Sequence, residues 1–224
     1  MPPRPALVFD LDGTLLDSAL DIMASFLHSF DIHKLERPHF DLTRSLIGRP
    51  LSEMYAAAGL EDHQHDTFIA AYRAHYQDHC ADTTVPFPGV LELLTRLRQQ
   101  GFLLAVATAK RGFVAQNVCD QVGLSPYVDL VQGTEDHMRH KPAPDVILAA
   151  LEQLGHAHGP VQGLWMVGDT TGDIGAGKAA GFKTYGVTWG THKRDMLEQA
   201  GADVVRDSLT ELLEVLGVEV VSSE

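Results

Sequence analysis

The chain has 224 residues, 45% of them hydrophobic and 21% charged, with a formal net charge of −13. That acidic balance argues against nucleic acid and anionic membranes as partners, because affinity for both rests on Lys and Arg; a small anionic ligand in a local basic pocket remains open. Two cysteines, Cys80 and Cys119, and an N-terminus without an apolar segment suited to a signal peptide or membrane span predict a cytoplasmic protein with reduced thiols.

The first predicted strand is the apolar run "ALVF" (6–9), which ends on Asp10, with Asp12 two residues later. Helix alone is predicted for the next stretch, at 19–30, about 51–59 and 64–80. Ser18 and Asp21 have the spacing of a capping box for the first of these. No strand is expected between Leu15 and Val85, so roughly 65–70 residues form a helical insertion after the first strand. "VPFPGV" (85–90) reads as a stiff connector. Alternation follows: helix 88–101, strands 102–108 and 128–133, helix 143–155, strands 163–168, 182–188 and 202–205, and helix 207–217. Most of these strands are continuously apolar, which suits burial on both faces. The expected fold is α/β, a Rossmann-like doubly wound parallel sheet interrupted by the insertion.

Ligands of open α/β sheets bind beyond the carboxyl ends of the strands. The residues there are Asp10 and Asp12, then Thr108 with Ala109, Lys110 and Arg111, then Lys141, then Asp169 and Asp173. Carboxylates clustered without a Cys or His companion suit a hard, oxygen-seeking cation, and Mg²⁺ is the natural candidate. Such an ion would let Asp10 and Asp12 remain ionised side by side. Thr108 and Lys141 would then clamp the anionic part of a substrate, and the backbone of the "DLDGT" loop at Gly13 would cradle the same oxygens.

"DLDGTLLDS", "VATAK", "KPAPD" and "GDTTGD", in this order, resemble the four motifs of the haloacid dehalogenase superfamily of phosphotransferases. "PFPGVLELLTRLRQQG", "QVGLSPYVDLVQG" and "GADVVRDSLTELLEVLG" are similar to its phosphoglycolate-phosphatase-like branch, so the resemblance spans nearly the whole chain. It implies a catalytic core at 1–14 and 85–224 and a substrate-reading helical cap at 15–84. It implies Asp10 as nucleophile, forming an aspartyl-phosphate, and Asp12 as the acid that protonates the leaving oxygen and then activates water. Mg²⁺ would be held by Asp10, the Asp12 carbonyl and Asp169, with Asp173 beside it. The phosphoryl group and substrate would meet Gly13, Thr108, Ala109, Lys110 and Lys141. The expected partner is a small phosphorylated metabolite, with monomer and homodimer equally open. A sugar-phosphate mutase on the same core, or a receiver-like phospho-acceptor, is the alternative.

Several residues carry a plainer reading. Asp173 serves either the metal or only the start of the following helix, and Lys110 either touches substrate or is a solvated charge. Arg49, at the tip of "LIGRPLSEMY" (46–55), either clamps a second anionic group on the substrate or lies idle on the surface. "GDIGAGKA" (172–179) nearly spells a phosphate-binding P-loop, but Ala179 stands where the hydroxyl is needed, so its small residues read as close helix–sheet packing. Seven of the twelve histidines precede residue 85, with His75 and His79 at i, i+4; two such rings without a third ligand read as a solvated face. Lys34, the insertion's one lysine, lies away from the "LIGRP" turn, which disfavours a Schiff-base phosphonatase.

Overall fold

A computed structural model describes residues 2–209 and 211–218. In chain order its elements are β1 (Arg4–Phe9), β2 (Leu16–Asp17), α1 (Ala19–Ile32), α2 (Phe40–Ser45), α3 (Leu51–Ala57), α4 (Asp62–His79), β3 (Val85–Pro86), α5 (Val90–Gln99), β4 (Leu103–Arg111), α6 (Gly112–Gln121), β5 (Leu130–Thr134), α7 (Asp145–His158), β6 (Val161–Gly168), α8 (Thr171–Ala179), β7 (Lys183–Val187), α9 (Arg194–Gln199), β8 (Val204–Arg206) and α10 (Glu211–Val215). A single 3₁₀ turn, Ser125–Tyr127, precedes β5.

Six strands form one parallel sheet in the order β5-β4-β1-β6-β7-β8. They correspond to the six apolar runs of the sequence. Alternate residues of β1 face opposite layers: Ala6 and Val8 pack with Val146, Ile147 and Ala150 of α7, whereas Leu7 and Phe9 join the core that includes Leu93 and Leu97 of α5. Both faces are covered, which is why the strands are apolar throughout. Helix α8 lies tight on the sheet: a Cβ at Gly177 would come within 2.7 Å of Met166 and Thr184 side chains, and one at Gly175 within 2.6 Å of Pro142. The small residues of "GDIGAGKA" therefore serve packing.

Helices α1 to α4 lie between the first strand of the sheet and the rest of it. Their centre is aromatic: Phe26 stacks on Tyr55 at 4.6 Å, and Phe68 meets Tyr55 edge-on at 5.5 Å. The Tyr55 hydroxyl donates toward Ser29 Oγ and the Phe68 carbonyl, so this polar tip is satisfied inside the cluster. His28, His75 and His79 stack in sequence at 4.1 and 4.3 Å, linking α1 to α4. The acid cluster described below is the one metal-competent His/Cys/Asp/Glu group among the described residues, so these rings form a stacked run and no ligand set.

Three expectations need correction. A strand does exist between Leu15 and Val85: β2 pairs antiparallel with β3, Leu16 against Pro86 and Asp17 against Val85. Two residues are too few to show any periodicity. Ser18 does not cap α1; its hydroxyl donates instead to Asp12 Oδ1 at 2.5 Å. Asp21 is likewise diverted: its carboxylate accepts from the N–H and hydroxyl groups of both Thr83 and Thr84, between 2.7 and 3.1 Å. The segment thus leaves and rejoins the core through a ribbon that Asp21 clasps. Helices α2, α6 and α9 lie outside the expected elements; α2 and α9 are only six residues long, whereas α6 buries Ala115, Val118 and Cys119 at helical spacing. The helix expected over 207–217 is described only at Glu211–Val215, and Thr210 lies outside the described residues.

Candidate active site

The carboxyl ends of β1, β4 and β6 and the loop after β5 converge on one buried cluster. Asp10 follows β1, with its N–H donating to the Val167 carbonyl on β6 at 2.8 Å. Asp169 follows β6 and is fully buried, and Asp173, on the first turn of α8, is 1% exposed. One oxygen of each of these three acids lies within 4.8 Å of one oxygen of the others. Lys141 Nζ sits among them, 2.7 Å from Asp10 Oδ1 and 2.6 Å from Asp173 Oδ1. The other oxygen of Asp173 accepts from the Thr170 N–H and hydroxyl in a capping box, so this acid serves the start of α8 while also lying in the cluster.

The charges do not balance. Three buried acids surround one ammonium. Burial raises the Asp10 pKa well above the usual carboxylate range; Lys141 opposes this, and Asp173, Asp169 and Asp12 add to it. Burial, then Asp173, pushes Asp169 up to about 7, despite hydrogen bonds from Thr191 and Thr14. Burial alone would lower the Lys141 pKa, but Asp10 and Asp173 outweigh it and hold the lysine charged. An uncompensated group of buried oxygens fits a hard dication with carboxylate ligands.

Asp169 is held by residues the sequence reading missed. Thr14 Oγ1 donates to Asp169 Oδ1 at 2.9 Å, and the Thr191 N–H donates to Oδ2 at 2.7 Å. Two glycines leave room for this carboxylate: a Cβ at Gly13 would lie 2.4 Å from Oδ2, and one at Gly190 2.3 Å from it. Gly13 also has φ +83, where a side chain is strained. Its N–H is taken up inside the loop by the Leu16 carbonyl at 2.9 Å. The expectation that Gly13 cradles phosphate through its N–H is therefore corrected: its contribution is the missing side chain. The sequence signal for Gly190 and Thr191 is a fifth strand end, "TWGT" after β7.

Asp12 stands at the other side of the cluster. Ser18 holds one of its oxygens and the Lys110 ammonium pairs with the other. Lys110 is thus a partner of Asp12 at rest. Thr108, on β4, is 1% exposed, and its hydroxyl accepts from the Lys110 N–H at 3.2 Å. Asp12, Ala109 and Lys110 line a cavity of about 580 Å³ between the helical segment and the sheet. Arg49 and Arg73 line it from the helical side and are exposed. Neither forms an ion pair among the described residues, whereas Arg111 is paired with Asp136 at 2.5 Å. His192 accepts from the Thr171 N–H at 2.9 Å; burial lowers its pKa, and nearby Arg49 lowers it further while Asp173 opposes. Lys34 sits in a left-handed turn after α1 and does not line the cavity.

Comparison with known proteins agrees with this arrangement. The profile of the family described as haloacid dehalogenase-like hydrolase matches residues 7–187. The chain is 35% identical over 217 residues to the probable phosphatase IndB of Dickeya dadantii, covering 94% of this chain and 92% of that protein. It is 35% identical over 184 residues to a phosphoglycolate phosphatase of Aquifex aeolicus, covering 82% and 84%. A solved structure of a haloacid dehalogenase-like hydrolase from Streptococcus pneumoniae superposes with a TM-score of 0.84 at 27% identity, covering 96% of this chain and 98% of that one.

Proposed function

The chain belongs to the haloacid dehalogenase-like hydrolases, and from that premise we propose that it is a Mg²⁺-dependent phosphatase of a small phosphorylated metabolite of the phosphoglycolate kind. The observation that carries this reading is the buried group of Asp10, Asp169 and Asp173 gathered around one lysine. Asp10, the Asp12 carbonyl, Asp169 and Asp173 would hold the cation, which when bound draws charge from the phosphoryl oxygens. The Asp10 carboxylate attacks phosphorus and the ester bond breaks, leaving an aspartyl-phosphate. Asp12 gives its proton to the departing oxygen, then takes one from the water that hydrolyses the intermediate, restoring Asp10 and free phosphate. Lys141 and Thr108 hold the phosphoryl oxygens as their charge grows.

The cavity beside Asp12 receives the leaving group, and Arg49, which forms no ion pair among the described residues, is the reader of a second anionic group there. The acidic surface and the two buried free cysteines fit a soluble enzyme of the cytoplasm that meets neither nucleic acid nor membrane. Among the described residues no helix is long and apolar enough to cross a membrane. Phosphate release should be measured on phosphoglycolate, sugar phosphates, pyrophosphate and nucleoside monophosphates, with Mg²⁺ and after chelation. We expect turnover of at least one carboxylate- or phosphate-bearing ester, lost on chelation and inhibited by excess Ca²⁺, whose larger shell accepts a bidentate carboxylate. Full activity after exhaustive chelation would refute the metal assignment.

A further inference from the structure

One buried hydroxyl has no partner. Among the described residues, Tyr76 Oη is the single buried side-chain polar atom without a hydrogen bond. Tyr76 lies on α4, is 2% exposed, and lines the cavity together with Asp12 and Lys110. Its ring is fixed on two sides: Tyr72 stacks on it at 5.3 Å, and Lys110 Nζ lies 5.1 Å from its centroid. Buried polar groups almost always find a partner, because leaving one unpaired costs free energy. Tyr55, the most deeply buried phenol of the helical segment, does find partners. The Tyr76 phenol is also a donor at neutral pH, since burial and then the Asp12 carboxylate push its pKa well above 10.

We propose that the Tyr76 hydroxyl is a specificity-determining contact, donating a hydrogen bond to a hydroxyl or carboxylate oxygen carried by the leaving group close to the ester. The inference rests on the phosphatase reading and narrows its substrate class to esters with such an oxygen. Asp12 serves the ester oxygen, and its ion-pair partner Lys110 is the ammonium that lies against the Tyr76 ring, so the phenol stands on the Asp12 side of the cavity. Ring stacking and the Lys110 ammonium hold the donor in place, so an ester without the acceptor leaves it unpaired.

The test uses Tyr76→Phe and three esters on one two-carbon frame: phosphoglycolate, 2-hydroxyethyl phosphate and ethyl phosphate. Wild-type enzyme should prefer the first two. Tyr76→Phe should lose roughly 3- to 10-fold in kcat/KM on whichever of those is better and less than about twofold on ethyl phosphate. Its Tm should be unchanged or higher, because the deleted hydroxyl has no protein partner. A lowered Tm would assign the hydroxyl a structural bond and overturn the proposal. Equal losses on all three esters, or none on any, would overturn it as well. A wild-type enzyme that hydrolyses all three without preference removes this inference and leaves the phosphatase reading standing. Release from none of these or the wider panel sinks both.

Discussion

The sheet and the helical segment face each other across one cavity with different resources. The sheet side presents buried acids, Asp10 and Asp169 just past strands and Asp173 on the first turn of α8, gathered around Lys141 from the loop after β5. The helical side presents Arg49 and Arg73, which form no ion pair among the described residues, and the tyrosine pair Tyr72 and Tyr76. Chemistry common to phosphoryl transfer needs the first set in one geometry. Selection among leaving groups needs only that the second set be varied. The two sides should therefore respond differently to substitution, the sheet by losing turnover on every substrate, the helical segment by losing discrimination.

The sharpest way to break that contrast is Asp10→Asn. An amide cannot form a stable acyl-phosphate, so kcat should fall by at least roughly 10³ on all esters. Circular dichroism should report an unaltered fold, because removing a buried carboxylate that burial already disfavours costs the sheet little. Uniform loss with an intact fold supports the division; near-wild-type phosphate release would end it.

Arg49→Ala probes the other side with a smaller effect. A charge-assisted contact worth about 1.5–3 kcal/mol would appear as a ~10–150-fold loss of kcat/KM on a substrate with a second anionic group. p-Nitrophenyl phosphate, which lacks one, should be nearly unaffected. Equal losses on both would place Arg49 with the phosphate machinery and blur the two sides into one.

The smallest effect concerns pH. Burial, then His28 and His79, lowers the His75 pKa, with Asp82 and Asp78 opposing; Ser25 Oγ lies 2.9 Å from its Nδ1. A histidine with a depressed folded pKa is protonated first in the unfolded chain. Its contribution to stability is present above the unfolded value of about 6.5 and lost as pH falls through the folded one. The helical segment should loosen to protease modestly as pH falls below about 6.5, and His75→Gln should flatten that dependence. An unchanged slope in the variant would clear the histidine run of the effect.

The parts legible in the sequence are those with a pattern. Six strands announced themselves as apolar runs because both faces are buried, and the four acids, Thr108 and Lys141 stood at strand ends in order. What stayed hidden depends on contacts distant in the chain. Ser18 and Asp21 have the spacing of a local cap, yet Asp12 and the Thr83–Thr84 pair compete successfully for their oxygens. Thr14, Gly190 and Thr191 gain meaning only when the loop after β7 closes on Asp169. Tyr76 falls within the helix expected at 64–80, and nothing in its spacing shows that its hydroxyl lacks a partner.

The clasp at Asp21 bears on how the chain finds its fold. β1 must pair with β4, Ala6 against Leu103, across the whole helical excursion. Left open, that excursion is a loop of about 95 residues to close before the sheet can form. If α1 and α4 meet first and Asp21 ties the two ends of the segment together, the effective loop shortens to about 35 residues. The saving is about 1 kcal/mol of closure entropy, roughly fivefold in the rate of joining the central strands. The same ribbon that lets the segment hang from the sheet thus also makes it a folding unit that brings distant strands within reach.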